Sequence, residues 1–152
     1  MLRTRLCVLG PSGKMGRSVL AAAAARPGLA ISATIDRPDA PGLGEPTADG
    51  VVASTDLEHG LGTCDVYVDF TTPEATLAAA TIAARHRRAA VIGTTGLGVE
   101  HEQAIAHLAT VAAGLVCKVE NATGLAVVVY GERAEAEAVA EAITQTADEC
   151  GL

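Results

Sequence analysis

Gly10, Gly13 and Gly16 stand three apart in LCVLGPSGKMGRSVLAAAA, residues 6–24, where an apolar run gives way to alanine-rich sequence. Glycines at such a strand-to-helix corner let the backbone approach an anion, and the helix start presents N–H groups that have no partner within the helix. The spacing is G-x-x-G-x-x-G rather than the commoner G-x-G-x-x-G, and Pro11 removes one donor, so a purely structural corner remains an alternative. Asp36 follows Gly16 by twenty residues, at the end of the next apolar stretch. A carboxylate there suits the hydroxyls of an adenosine ribose, and Arg37 beside it suits a 2′-phosphate. The set points to a dinucleotide.

Two further stretches end apolar runs in small hydroxyl residues and glycine: DFTTPEATL, residues 69–77, and VIGTTG, residues 91–96. Both are expected to open beside the glycine corner, at the carboxyl edge of one sheet. Other reactive residues carry less. Cys7, Cys64, Cys117 and Cys150 are far apart and read as buried free thiols, with no legible metal site. The four histidines are scattered over helices and turns as solvated side chains. Glu120 reads as a solvated strand-end carboxylate, and no general acid or other catalytic residue is named.

The elements that must position these residues alternate. Leu6 to Gly10 reads as a buried strand, Lys14 to Ala25 as a helix and Ala30 to Asp36 as a second strand. After a Pro/Gly-rich loop, Val51 to Ala53 is a short third strand, and Thr55 with Glu58 makes a capping box for a small helix. Cys64 to Phe70 is the fourth strand. Thr72 as N-cap and Pro73 at the first helical position open a helix to about His86. Ala89 to Gly93 is a strand, Val99 to about Ala112 a helix and Leu115 to Val119 a sixth strand. Ala126 to Tyr130 adds one more strand, and Glu132 to Ala147 a surface helix. This order predicts an α/β fold, a doubly wound parallel sheet in a single domain.

The chain has 152 residues, 49% of them hydrophobic and 19% charged, which fits one domain with an aliphatic core. Its net charge of −7 argues against nucleic-acid binding. The charge is uneven, however: Arg3, Arg5, Lys14, Arg17 and Arg26 all precede the first acid, Asp36. No apolar run reaches the roughly 18 residues of a membrane span, and no signal-peptide pattern opens the chain, so the expectation is a cytoplasmic protein without a membrane partner.

Taken together, GPSGKMGR, the Asp36-Arg37 pair, DFTTPEATL and IGTTG resemble, in order and spacing, the nucleotide-binding half of 4-hydroxy-tetrahydrodipicolinate reductases, also called dihydrodipicolinate reductases. The resemblance covers roughly residues 5–124. It implies a Rossmann-type domain that uses NADH or NADPH to reduce a cyclic intermediate of diaminopimelate and lysine biosynthesis, in an enzyme that is usually a homo-oligomer. It also implies roles. Gly10, Ser12, Gly13, Lys14, Met15 and Gly16 would hold the pyrophosphate, and Asp36 and Arg37 the adenosine ribose. Phe70 and Thr71 would flank the cofactor, with Gly93, Thr94 and Thr95 along the nicotinamide end. In Val119-Glu120-Asn121-Ala122-Thr123-Gly124, the counterpart of a segment that closes over the nicotinamide, Asn121 matches and Ala122 lacks the family's aromatic ring.

Past Gly124 the resemblance stops. The family's substrate domain carries a histidine pair, a lysine and an S-G-T segment, none of which is found among residues 125–152; the chain's two lysines are Lys14 of the glycine corner and Lys118 of the sixth strand. Residues 1–124 therefore read as the dinucleotide-binding part, and 125–152 as an extra strand and helix completing it. The expectation is a shortened reductase, poorly active alone, that takes a dicarboxylate substrate only if a substrate domain is supplied. The alternative is a non-catalytic regulatory or assembly module that binds NAD(P) or coenzyme A.

Overall fold

The computed structural model describes residues 2–111, 117–120, 126–130 and 141. Its elements are β1 (Thr4–Leu9), α1 (Lys14–Ala24), β2 (Leu29–Ile35), α2 (Leu57–Thr63), β3 (Val66–Asp69), α3 (Pro73–His86), β4 (Ala89–Ile92), α4 (Val99–Val111), β5 (Cys117–Glu120) and β6 (Ala126–Tyr130). One sheet runs in the order β2-β1-β3-β4-β6-β5.

Strands β2, β1, β3 and β4 are parallel, as the alternation of strand and helix requires. Strand β6 enters antiparallel between β4 and β5. Five residues separate β5 from β6 in sequence, too few for a helical crossover, in keeping with the antiparallel pairing of the two strands. The expected surface helix at 132–147 lies outside the described residues, except for exposed, helical Glu141.

Strand pleating sorts the core into two layers. Leu6, Val8, Val66, Val68 and Val91 meet Val19 and Ala23 of α1 on one face. Cys7, Leu9, Tyr67, Ala90 and Ile92 meet Leu61 of α2, the Ala79, Ala80 and Ala83 stripe of α3, and Ile105 of α4 on the other. The small side chains of the alanine stripe let α3 lie close to the sheet. Along β1 and β2 the register slips once between Leu6 and Cys7, and the hydroxyl of Ser32 donates to the Leu6 carbonyl there.

Local sequence sets the helix ends. Helix α1 starts after extended Gly13 and stops before Arg26-Pro27, where the residue preceding proline disfavours helix. Thr72 caps α3, its hydroxyl accepting from the Ala75 N–H, and Pro73 occupies the first turn. Two expectations are corrected. The N-cap of α2 is Asp56, whose carboxylate accepts from the His59 N–H at 2.9 Å; Thr55 is not the cap. Glu58 instead reaches across to Arg85 and His86 on α3. Val51 to Ala53 does not form a third strand. Only single bridges form there, Pro46 to Val52 and, against the end of β2, Ser54 to Ile35, since the run is short and bounded by turns.

Candidate functional site

Because α1 carries the chain from β1 to β2 on one side, while β3 and β4 extend the sheet on the other, a crevice must open beyond the carboxyl ends of β1 and β3. A cleft of about 390 Å³ lies there. It is lined by Gly10, Ser12 and Gly13 after β1, by Asp36 and Arg37 after β2, and by Phe70, Thr71 and Thr72 after β3. Thr55 and Leu57 at the start of α2, with Ala75 and Ala78 on α3, complete it.

The three glycines do different work. Gly10 is left-handed, with φ 71°, and its N–H donates to the Ile35 carbonyl at 2.8 Å. A Cβ on Gly16 would lie 2.0 Å from the Gly10 carbonyl oxygen, so Gly16 is required for the helix to pass under the corner. A Cβ on Gly13 would make only an ordinary 3.4 Å contact with that same oxygen. Nothing in the folded chain therefore requires glycine at 13, whereas a ligand approaching the backbone does. Gly13 accepts the Arg17 N–H at 3.0 Å but offers no side-chain cap, and the first turn of α1 holds no acid. The helix start is open to an anion. Lys14 is exposed beside it and Met15 half-buried. Arg17 turns back, its guanidinium donating twice to the Ser12 carbonyl at 3.1 and 2.9 Å.

Asp36 closes the corner from the other side. Its carboxylate accepts the Ser12 N–H at 3.0 Å through Oδ2 and the Arg37 N–H at 2.9 Å through Oδ1. Each oxygen retains a lone pair for a further donor. The Arg37 guanidinium is exposed and pairs with Asp39 at 3.1 Å, with Asp36 at 3.9 Å.

The ends of β3 and β4 are arranged differently from a simple cofactor wall. The Phe70 ring lies directly on Gly93, whose added Cβ would stand 2.1 Å from ring carbon Cε1. Gly93 thus seats Phe70, and Phe70 faces the cleft. Thr94 is buried, its hydroxyl 2.7 Å from that of Thr76 and accepting the Thr71 N–H at 3.2 Å. Thr95 is exposed. Asn121 lies outside the described residues, and Glu120 is described only as part of β5.

Sequence reasoning passed over Asp69. It is fully buried at the last position of β3, its Oδ1 accepting the N–H and hydroxyl of Thr71 at 3.0 and 2.5 Å. Burial pushes this carboxyl above the usual range, against the hydrogen bonds from the threonines. The signal was available in DFTT, an acid directly followed by hydroxyl residues at a strand end, but the burial was not. Thr76, Leu57 and the small residues Ala75 and Ala78 were also unanticipated; the last two are small enough to leave the cleft its width. Among the described residues no cluster of His, Cys, Asp and Glu could hold a metal ion.

Comparison with known proteins agrees with this geometry. The family profile described as "Dihydrodipicolinate reductase, N-terminus" matches residues 4–122. A 4-hydroxy-tetrahydrodipicolinate reductase from Methylocella silvestris is 39% identical over 104 residues, covering 64% of this chain and 38% of that protein. One from Nitratidesulfovibrio vulgaris is 38% identical over 111 residues, covering 71% and 42%. The chain thus spans about two fifths of the length of these curated relatives. A solved dihydrodipicolinate reductase from Paenisporosarcina sp. TG-14, with dipicolinate bound, superposes with a TM-score of 0.62 at 28% identity, covering 73% of this chain and 44% of that one. The pyrroline carboxylate reductase of Plasmodium falciparum, at 12% identity and a TM-score of 0.58, shares the fold alone. With the profile matching most of its length, this chain, a Rossmann-type α/β domain, belongs to the dihydrodipicolinate reductase N-terminal family.

Proposed function

We propose that this chain is the cofactor-binding half of a 4-hydroxy-tetrahydrodipicolinate reductase, and that it holds NADH or NADPH with the adenosine over β2 and the pyrophosphate at the glycine corner. The observation that carries this reading is the corner itself, with its uncapped helix start, open Gly13 and clamping Asp36. When bound, the nicotinamide supplies a hydride from its C4. The chain supplies position. Backbone N–H groups at the start of α1 hold the pyrophosphate, with exposed Lys14 adding charge. Asp36 accepts ribose hydroxyls on the lone pairs its two backbone donors leave free.

Arg37 must leave Asp39 to meet a 2′-phosphate. Such an exposed pair contributes about 0–1 kcal/mol, less than a charged contact to phosphate returns. Asp36 meanwhile favours the unphosphorylated ribose, so both cofactors should bind within about tenfold of each other, or about 1.4 kcal/mol. Phe70 and Thr71 wall the cleft, and Gly93, Thr94, Thr95 and Asn121 belong to the nicotinamide end. Residues 125–152 complete the domain formed by 1–124, a reading supported by the pairing of β6 with both β4 and β5. The dicarboxylate substrate would be held by a further domain or a partner chain, in a cytoplasmic homo-oligomer of the diaminopimelate and lysine pathway.

Fluorescence titration of NADH and NADPH tests the reading. Gly13→Val should remove binding of both from a folded chain, and Arg37→Ala should weaken NADPH more than NADH. Unchanged titration of Gly13→Val, or displacement of NADH by coenzyme A at equal concentration, would overturn it.

A further inference from the structure

The hydrogen bonds at the ends of β3 and β4 converge on one side chain. Three donors, the Thr71 N–H, the Thr71 hydroxyl and the Thr94 hydroxyl, lie 3.0, 2.5 and 3.3 Å from Asp69 Oδ1. Asp69 Oδ2 is buried with no hydrogen-bond partner among the described residues. The backbone repeats the tie, as the Gly93 N–H donates to the Asp69 carbonyl at 2.8 Å. Asp69 thereby joins the loop after β3, which carries Phe70 and Thr71 into the cleft, to the loop after β4, on which the Phe70 ring rests.

A buried carboxyl with one oxygen unpartnered costs stability, and an apolar residue at a strand end would avoid that cost. Retaining it calls for a reason beyond packing. Its place in the sheet supplies one. With the adenosine end over β2 and the pyrophosphate over β1, the remaining half of a dinucleotide lies over β3 and β4, where these two loops form its bed. We propose that Asp69 is a positioning residue for the nicotinamide half of the cofactor, acting through Thr71 and Thr94 to hold the two loops at one spacing. The proposal rests on the dinucleotide reading above. Asp69 does not touch the cleft itself; it sets where Phe70 and Thr71 stand. Its acceptor at Oδ1 is what matters, not its charge.

The test compares ligands of different reach. ADP occupies only the adenosine and phosphate end, while NADH extends over β3 and β4. Asp69→Ala removes the acceptor and should raise the Kd of NADH at least tenfold while changing that of ADP by less than twofold. Asp69→Asn keeps an oxygen for the threonine donors and should bind both ligands within threefold of the wild type. Thr94→Val, which leaves Asp69 in place and removes the side-chain tie between the loops, should weaken NADH severalfold with ADP unchanged, and decides the matter if Asp69→Ala does not fold. Equal weakening of ADP and NADH in these variants would mean general loosening and would overturn the proposal, as would an unchanged NADH Kd in folded Asp69→Ala or in Thr94→Val. A wild-type chain that binds neither ligand would instead overturn the dinucleotide reading on which the proposal stands.

Discussion

At the glycine corner, side-chain volume separates structural from ligand-directed constraint. Gly16→Ala forces a methyl into the Gly10 carbonyl and should cost about 3 kcal/mol, read as a lowered denaturant midpoint. Gly13→Val meets no such obstacle; its stability should stay within about 1 kcal/mol of the wild type while NADH binding is lost. The same variant thus reports on binding alone. Asp69 makes the second residue-scale prediction. Because burial raises its folded pKa above the ordinary 3.8, the folded chain keeps a proton that the unfolded chain releases. Stability from this carboxyl is complete below 3.8 and is lost as pH rises through the folded value. Asp69→Asn does not titrate, so its melting temperature should gain on that of the wild type as pH rises from about 4 toward neutrality. A constant difference across that range would contradict the assignment. The offset at any one pH also contains the cost of an amide N–H in an unpartnered site, which is why the slope carries the information.

Among the elements, helix α2 shows where local rules compete. Thr55 and Glu58 have the capping-box spacing, yet Asp56 takes the cap and Glu58 bonds α3. Asp56→Ala should cost about 1 kcal/mol of stability, while Thr55→Ala should cost none of it; chemical denaturation of both variants checks this. Elsewhere among the described residues, strand and helix positions were legible to within a residue or two. Their signals are local: the Thr72-Pro73 start, the alanine periodicity of α3, the glycines after β1. What stayed illegible is non-local. Asp69 reads in sequence as a strand-end acid like Asp36, and only the pairing of β3 with β4 reveals that Thr76 and Thr94 enclose it. The antiparallel β6 could have been read from its short separation from β5, since five residues do not accommodate a crossover. The seating of Phe70 on Gly93 was illegible too, since it rests on a ring whose direction sequence does not state.

Across the whole molecule, the cleft proposed for the dinucleotide lies at the ends of β1, β2 and β3, and the substrate groups of the family's second domain are not found among residues 125–152. Positioning a substrate near the nicotinamide can lower a barrier by several kcal/mol, and a general acid by a further factor of roughly 10² to 10⁴. This 152-residue chain should therefore bind NADPH yet reduce freshly generated 4-hydroxy-tetrahydrodipicolinate far below the rate of a full-length relative, followed as NADPH absorbance. Addition of a separately expressed substrate domain should raise the rate. Turnover by the chain alone at full-length rates would place substrate chemistry in this chain. Among the described residues no helix is long and apolar enough to cross a membrane.

The two described thiols give the fold a built-in clock. Cys7 and Cys64 are both free and fully buried between the sheet and the α2–α3 layer, and the Cys64 thiol donates to the Leu61 carbonyl at 3.5 Å. An alkylating reagent reaches them only when that layer parts from the strands, so their modification rate counts openings of the core rather than surface encounters. If a dinucleotide lies across β2, β1 and β3 as proposed, it binds the closed form and suppresses the openings that break its site. At a hundred times its Kd, NADH should slow alkylation of both cysteines, mapped by peptide mass, about a hundredfold. If only one of the two slows, the layer opens in parts, and the boundary between those parts runs between β1 and the end of α2.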